Sequence, residues 1–181
     1  IQVSNANERS PGFNINEHFS CNHSAYTPAL NELKAMIENG RYISAAEKKA
    51  CVELLLATAK QQGCTTGKWM IFVRPGWADF VWEKIARATA AGHLGCGAKI
   101  APTQGLLEHE TTLCCIYVAD FSSRPEVQRV LLELEAMDLK IKCGFKPDIF
   151  TELGIETKNE WRLPPTIYSR DEVKRWFSGA P

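Results

Sequence analysis

Residues 111–137 read TTLCCIYVADFSSRPEVQRVLLELEAM and combine the clearest strand of the chain with its clearest helix. Thr111 to Val118 is an apolar run with the length of a buried strand. Ser123 and Glu126 have capping-box spacing, and Pro125 occupies the first helical turn. Behind them, apolar residues recur with helical periodicity at Val127, Val130, Leu131, Leu134 and Met137. A strand followed by an amphipathic helix predicts a domain in which helices pack against a sheet.

Shorter elements with similar signals precede and follow this pair. Trp69 to Val73 is a short apolar run, and Leu139 to Phe145 alternates apolar residues with lysines, as a strand with one solvated face does. The predicted strands are 69–73, 98–101, 111–118 and 139–145, and the predicted helices are 27–39, 44–62, 78–91, 124–137, 148–153 and 170–177. Together they predict an α/β (α+β) fold, with a curved antiparallel sheet and helices on one face.

The length of 181 residues is enough for one domain with its own core. Residues 1–25 are rich in Asn, Ser and His without periodicity, and they predict a flexible N-terminal arm. A single α+β domain is expected over 26–181. Within it, residues 26–65 predict a helical hairpin packed on the rest, because Thr27-Pro28 and Ser44 each begin an amphipathic segment.

The formal net charge is zero, which argues against a non-specific polyanion binder but leaves room for a local basic patch. The charges are unevenly distributed along the chain. Residues 64–104 carry five bases against two acids, residues 105–138 carry two against seven, and residues 139–181 carry eight against six. Any basic patch is therefore expected to draw on the first and last of these segments.

The cysteine pattern and the lengths of the apolar segments indicate in which cell compartment the protein is expected. There are seven cysteines, an odd number without a C-x-x-C pair, and this is typical of free thiols used as small apolar residues in a reducing environment. No stretch reaches the roughly 18 apolar residues of a membrane span, and Ile1 to Asn16 lacks the layout of a signal peptide. We expect a cytoplasmic protein, with a nuclear location also open, and no membrane partner.

From residue 66 onward, the order of elements and several short segments resemble known proteins. Thr66-Gly67-Lys68-Trp69 before a strand, Phe80-Val81-Trp82-Glu83-Lys84 on a helix and Cys96-Gly97-Ala98 at the next strand are similar to the fold of translation initiation factor 4E. A closer resemblance is to the uncharacterised family of basophilic leukaemia-expressed protein. It is carried by GKW at 67–69, AAGHLG at 90–95, KPD at 146–148, LGI at 153–155 and WRL at 161–163. The resemblance covers about residues 66–168 and implies a factor 4E-like fold.

The chain departs from factor 4E at the residues that recognise an mRNA cap. In that factor two tryptophans sandwich the charged guanine, an acid reads its edge and basic residues hold the phosphates. Here helices replace the segment that would contain one tryptophan and the acid. The loop at 103–110, where phosphate-binding residues are expected from the resemblance, reads TQGLLEHE and has no Lys or Arg. Cap binding of the factor 4E type is therefore not expected.

Basic side chains on the predicted strands, and one tryptophan in a polar turn, favour nucleic-acid binding. Lysine and arginine neutralise phosphates, and an exposed aromatic ring stacks on a base. The candidate binding residues are Lys68, Lys99, Lys140, Lys142, Lys146, Trp161 and Arg162. Core packing of the tryptophan and ordinary solvated strand faces are the alternative interpretations. The preferred hypothesis is a non-enzymatic protein that binds RNA or a nucleotide through the concave face of the sheet.

A protein-interaction module without nucleic-acid binding is the alternative function. Its docking surface would be the acidic segment 105–138 or the final helix, which carries Trp176-Phe177. An enzyme would use His93 and Cys96 in a glycine-rich turn, but no orienting acid is evident, so no catalytic residue is assigned.

A zinc site is the remaining option. His18, Cys21 and His23 are metal-ligand types that lie close together in the sequence. No second ligand pair with the spacing of a zinc site accompanies them. We therefore expect neither a metal nor another cofactor.

Overall fold

The computed structural model of the protein describes residues 1–4, 21–139 and 142–176. The chain divides into two compact units. The first unit comprises the described residues of 1–17, 66–147 and 166–181, and it contains the sheet. The second comprises those of 18–65 and 148–165, and its regular structure is helical. The predicted division into a flexible arm over 1–25 and one domain over 26–181 stays a prediction.

An open sheet of six antiparallel strands, in the order β1-β3-β4-β2-β5-β6, forms the first unit. The strands are β1 (Gln2–Ser4), β2 (Gly67–Val73), β3 (Gly97–Ile100), β4 (Thr112–Val118), β5 (Cys143–Pro147) and β6 (Tyr168–Ser169). The predicted antiparallel sheet is confirmed. The sequence does not predict β1 or β6, because two or three residues are too few to show an alternating pattern.

The helices are α1 (Thr27–Glu38), α2 (Ala45–Gln61), α3 (Pro75–Ala90), α4 (Arg124–Ala136), α5 (Asp148–Glu152) and α6 (Arg170–Arg175), preceded by a 3-10 helix at His23–Ala25. The capping box between Ser44 and Glu47 is present at the start of α2. The one predicted at Ser123 is wrong, since that side chain makes no capping hydrogen bond. Glu126, its expected partner, instead binds Arg129 at 2.6 Å.

One face of the sheet packs with α3 and α4 to form the core of the first unit. Trp69 is fully buried there, and its Nε1 donates a hydrogen bond to the main-chain oxygen of Val127 in α4 at 3.0 Å. Its ring lies edge-on to Phe145 with 5.4 Å between ring centroids. The other buried residues of this core include Ile71, Val73, Val81, Ile85, Ala98, Cys114, Ile116, Val118, Val130, Leu131 and Leu134. Removing their apolar surface from water is the main force that holds the helices on the sheet.

The loop between α3 and β3 approaches β4 so closely that one position has no room for a side chain. A Cβ atom on Gly95 would lie 1.8 Å from the main-chain oxygen of Tyr117. Arg129 of α4 holds the same loop, because its guanidinium donates hydrogen bonds to the main-chain oxygens of His93 at 2.7 Å and Leu94 at 3.2 Å. The glycine-rich turn is thus a close contact between two main chains.

In the second unit, α1 and α2 form the predicted helical hairpin, and a disulfide joins its ends. The prediction that all seven cysteines are free thiols is wrong for Cys21 and Cys64, which are bonded to each other. They lie 43 residues apart in sequence, but the hairpin returns the chain so that their Cα atoms are 6.4 Å apart. The free thiols are Cys51, Cys96, Cys114, Cys115 and Cys143. The predicted cytoplasmic location loses this support and stays a prediction.

Two further features bear on the predictions for the chain ends and for membranes. Within the predicted arm, Gln2–Ser4 pair with β3 as strand β1, while residues 5–20 lie outside the described part of the chain.

The search for membrane spans, made over the described residues, finds no helix with the length and hydropathy needed to cross a bilayer.

We expect Gly95→Ala to lower the free energy of unfolding by about 3 kcal/mol, because the added methyl group forces the loop away from β4. Denaturant unfolding followed by circular dichroism measures the change. Gly76→Ala is the matched control, since a Cβ there meets nothing within 4 Å in the first turn of α3. That variant should be unchanged or up to about 1 kcal/mol more stable. Equal stability of the two variants would contradict the close contact at Gly95.

Tyr26→Phe should raise the free energy of unfolding by about 1 kcal/mol. Tyr26 is buried, its hydroxyl has no hydrogen-bond partner in the described structure, and burial raises its pKa. Removing the hydroxyl removes the cost of keeping it from water. Tyr42→Phe is the control, because Tyr42 is 83% exposed and should show no change. A loss of stability in Tyr26→Phe would mean that a buried water binds the hydroxyl.

Candidate nucleic-acid interface

The face of the sheet opposite Trp69 carries the strand lysines. Successive side chains of a strand point to opposite faces, so the residues that alternate with the buried core share this second face. We name it the lysine face. It consists of Lys68, Met70 and Phe72 on β2, Lys99 on β3, Leu113, Cys115 and Tyr117 on β4, and Lys146 on β5.

Three of the predicted binding residues come together on this face. Lys68 is the register partner of Lys146 on one side and of Tyr117 on the other. The Nζ atoms of Lys68 and Lys99 lie 5.7 Å and 5.5 Å from the centre of the Tyr117 ring, within the range of cation–π attraction. Two cationic side chains, those of Lys68 and Lys99, therefore lie against one aromatic ring, and Lys146 lies beside Lys68 on the neighbouring strand.

Burial changes along the lysine face. Lys146 and Lys68 are only 2% and 7% exposed, and Tyr117 is also buried. Met70 is half-buried, and Phe72, at the other end of β2, is 50% exposed. Lys99 is exposed as well. Its ammonium group is thus accessible to a ligand in solution, whereas those of Lys68 and Lys146 are shielded by burial.

Apolar and sulfur-containing side chains separate the cations from the exposed end of the face. Cys96, Cys115 and Tyr117 form a buried cluster, against which Met70 and Leu113 pack. The thiol of Cys96 donates a hydrogen bond to the main-chain oxygen of Tyr117 at 3.4 Å. The lysine face is therefore amphipathic, with cations beside an apolar surface that ends at Phe72.

The remaining predicted binding residues do not all join this face. Lys142 is exposed and immediately precedes β5, whereas Lys140 lies outside the described residues. Trp161 and Arg162 belong to the second unit, where Trp161 is half-buried and Arg162 is exposed. Their loop is held by Asn159, whose amide group donates to the main-chain oxygen of Leu163 at 2.8 Å and accepts from its main-chain nitrogen at 3.0 Å.

The two residues considered for an enzyme, His93 and Cys96, lie in different surroundings. Cys96 is buried, with its thiol directed at the main-chain oxygen of Tyr117, whereas His93 is exposed. Burial raises the pKa of Cys114 to about 12 and that of Cys143 to about 11, which keeps both as unreactive thiols at neutral pH.

Two of the three residues considered for a zinc site make other contacts. Cys21 is in the disulfide, and His23 lies 3.9 Å from a carboxylate oxygen of Glu152. His18 lies outside the described residues. Across the described chain, no three His, Cys, Asp or Glu side chains are placed to hold a metal ion.

Sequence reasoning missed three exposed aromatic residues. Phe72 is the first, and the alternation in Trp69-Met70-Ile71-Phe72 would have placed it on the side of Lys68. Trp77 and Phe80 are the others: on α3 they are 62% and 49% exposed and meet edge to face at 5.9 Å. Their i, i+3 spacing on a helix marks a shared surface.

The final helix contributes less to the surface than its sequence suggested. Trp176 lies edge-on to Tyr168 at 4.6 Å between ring centroids and 5.2 Å from the guanidinium of Arg124. The ring of Trp176 thus makes these contacts within the first unit. Phe177 lies outside the described residues.

The sequence matches the family model described as basophilic leukemia-expressed protein Bles03 over residues 17–154. The matched range contains β2, β3, β4 and β5 and so includes the whole lysine face. It also contains both cysteines of the disulfide. Trp161 and Arg162 lie beyond its end.

Proposed function

We propose that this chain, which belongs to the family of basophilic leukemia-expressed protein Bles03, is a non-enzymatic protein that binds RNA or a nucleotide through the lysine face. Phosphate oxygens would contact the cationic part of the face, and a base would lie on its apolar end. A location in the cytoplasm or the nucleus, as expected from the sequence, is part of the same proposal.

The observation that carries this proposal is the grouping of Lys68 and Lys99 over the ring of Tyr117, with Lys146 next to Lys68 on the adjacent strand. Charge-assisted hydrogen bonds from ammonium groups to phosphate oxygens are among the stronger polar contacts in proteins. The Tyr117 ring attracts two of the three ammonium groups and so keeps them near one point. A phosphate at this point would meet Lys99 directly, with Lys68 also close to the Tyr117 ring.

Phe72 gives the proposal a place for a base. Base stacking on an exposed aromatic side chain of a sheet is a common mode of single-stranded RNA recognition. Phe72 and Lys99 are two strands apart, so strand spacing places them on the order of 10 Å from each other. Met70 and Leu113 lie between them and provide an apolar surface for the sugar and base.

A fold like that of translation initiation factor 4E is also part of the proposal. Its support is the resemblance of the segments around Lys68, Phe80 and Cys96, together with the order in which β4 is followed by α4. The loop at 103–110 carries no cation, so the proposed ligand is held by the strand lysines and not by that loop.

Lys99→Gln should weaken the binding of a labelled single-stranded RNA about fivefold and reduce the salt dependence of binding by about one unit of slope. Fluorescence anisotropy at several salt concentrations measures both. Phe72→Ala should weaken binding without changing the slope, because it removes stacking and not charge. Lys60→Gln is the matched control, since Lys60 is an exposed lysine of α2. Competition with GTP and with a cap analogue then tests single nucleotides.

The lysine face is rejected as the RNA-binding site if a folded Lys99→Gln protein binds RNA with unchanged affinity and unchanged salt dependence. If Arg162→Ala alone abolishes binding, the site lies in the second unit. Absence of binding to RNA, GTP and cap analogue at low salt rejects the proposed function itself.

A protein-interaction module is the second candidate, and the exposed pair Trp77 and Phe80 favours it. Large exposed aromatic residues are typical anchors of protein interfaces. The Nζ atom of Lys84 lies 4.8 Å above the Phe80 ring and donates a hydrogen bond to the main-chain oxygen of Met137 at 3.1 Å, which fixes one border of this surface.

Trp77→Ala combined with Phe80→Ala should abolish capture of a specific protein partner while leaving RNA binding unchanged. Co-precipitation followed by direct binding of the purified partner measures the loss. Leu132→Ala is the control, because Leu132 is an exposed apolar residue on α4. Equal partner binding by the aromatic double variant and the control would reject this surface.

A further inference from the structure

The disulfide between Cys21 and Cys64 fastens the segment before α1 to the C-terminal end of α2. Cys21 is half-buried, whereas Cys64 is 5% exposed. The main-chain nitrogen of Cys64 continues the hydrogen bonding of α2 by donating to the oxygen of Ala59 at 2.9 Å. The Cys64 sulfur thus lies at the C-terminal end of α2, and the Cys21 sulfur lies on the segment before α1 that the disulfide attaches to this helix end.

A pair of hydrogen bonds lies directly beside the disulfide. The main-chain nitrogen of Asn22 donates to Oε1 of Gln62 at 2.9 Å, and Nε2 of Gln62 lies 3.5 Å from the main-chain oxygen of Asn22. Asn22 also caps the 3-10 helix, because its side chain accepts from the main-chain nitrogen of Ser24. These contacts are exposed, so each contributes only modestly in water. They join the same two segments that the disulfide joins.

The five free cysteines are poorly placed to compete for this disulfide. Cys96, Cys114 and Cys115 are buried in the first unit, and burial raises the pKa of the half-buried Cys143 to about 11. Burial raises the pKa of Cys51 in the second unit, and the charge of Glu32 raises it further. Since the thiolate is the form that attacks a disulfide, thiol exchange is directed to the Cys21–Cys64 pair.

We propose that Cys21 and Cys64 form a reversible redox clasp, which closes by oxidation with glutathione disulfide and opens by reduction with glutathione. In opening, a glutathione thiolate attacks the more exposed Cys21 sulfur. The new bond joins glutathione to Cys21, and the old bond breaks with its electron pair on Cys64, which takes up a proton. A second glutathione thiolate attacks the glutathione sulfur of the mixed disulfide and releases glutathione disulfide and the Cys21 thiolate, which then takes up a proton.

Opening the clasp loosens the segment before α1 and leaves helices α1 and α2 intact. Without the S–S bond, the exposed hydrogen bonds between Asn22 and Gln62 are what remain of the fastening described above. The helices keep their own contacts, such as the capping box of Ser44 and Glu47. The segment around 21–26 should therefore open locally and close again, in the manner of a low-stability region.

The test is a titration of the full chain in glutathione buffers of increasing oxidising strength. Acid quenching, alkylation of free thiols and peptide mass spectrometry measure the redox state of each cysteine. We expect Cys21 and Cys64 to change together while the other five remain alkylated. Hydrogen exchange at 22–26 should speed up about tenfold or more on reduction, while β2 and β4 stay protected. Limited reductant should place glutathione on Cys21 and not on Cys64.

Variants separate the clasp from a general effect of reduction. Cys21→Ser should show the fast exchange of the reduced protein even in oxidising buffer, and Cys64→Ala should do the same. Cys51→Ser, the matched free-thiol control in the same unit, should titrate like the unchanged protein. Three results would overturn the proposal: free Cys21 and Cys64 in the most oxidising buffer, a disulfide whose reduction leaves exchange unchanged, or loss of protection in β2 and β4 on reduction.

Discussion

The first unit depends on how Trp69 is held. Its strand, β2, pairs with β4 on one side and β5 on the other, so a shift of β2 would disturb both. The indole ring fills the space between sheet and α4, and its one polar atom is satisfied by the main-chain oxygen of Val127. A buried tryptophan without such a partner would carry an unpaired N–H group, which is costly in the interior. This contact ties α4 to β2 at one point, and the buried apolar residues of α4 pack on the sheet around it.

The position of Trp69 also determines what the opposite face can be. With Trp69 and Ile71 directed into the core, Lys68, Met70 and Phe72 must point the other way. The pairing of β2 with its neighbours then brings Tyr117 and Lys146 beside Lys68. The grouping of cations on the lysine face is therefore a consequence of the same register that builds the core.

Periodic segments allowed much of the fold to be predicted. The run from Thr111 to Val118 and the helical stripe after Ser123 each contain enough residues to show their period, and both elements are present. Strand β1 was missed because its partner, β3, is remote in sequence and three residues carry no pattern. The disulfide was missed for a related reason: its pairing arises from the return of a helical hairpin and not from local spacing.

The candidate site was predicted in part. Lysines on predicted strands could be assigned to a common face because alternation is local, and Lys68, Lys99 and Lys146 do share one. Their burial could not be predicted, since exposure depends on what packs over a strand. The final helix shows the same limit: its Trp176 looked available in sequence but packs against Tyr168 and Arg124.

The two outermost strands of the described sheet, β1 and β6, are only three and two residues long. Each therefore presents few unpaired main-chain donors and acceptors along the border of the sheet. A long, flat border would act as a template onto which the strand of another molecule could add, which is how many sheet proteins aggregate. Short borders interrupt that growth after one or two hydrogen bonds. At the β6 border, two residues leave another molecule little main chain on which to add a strand.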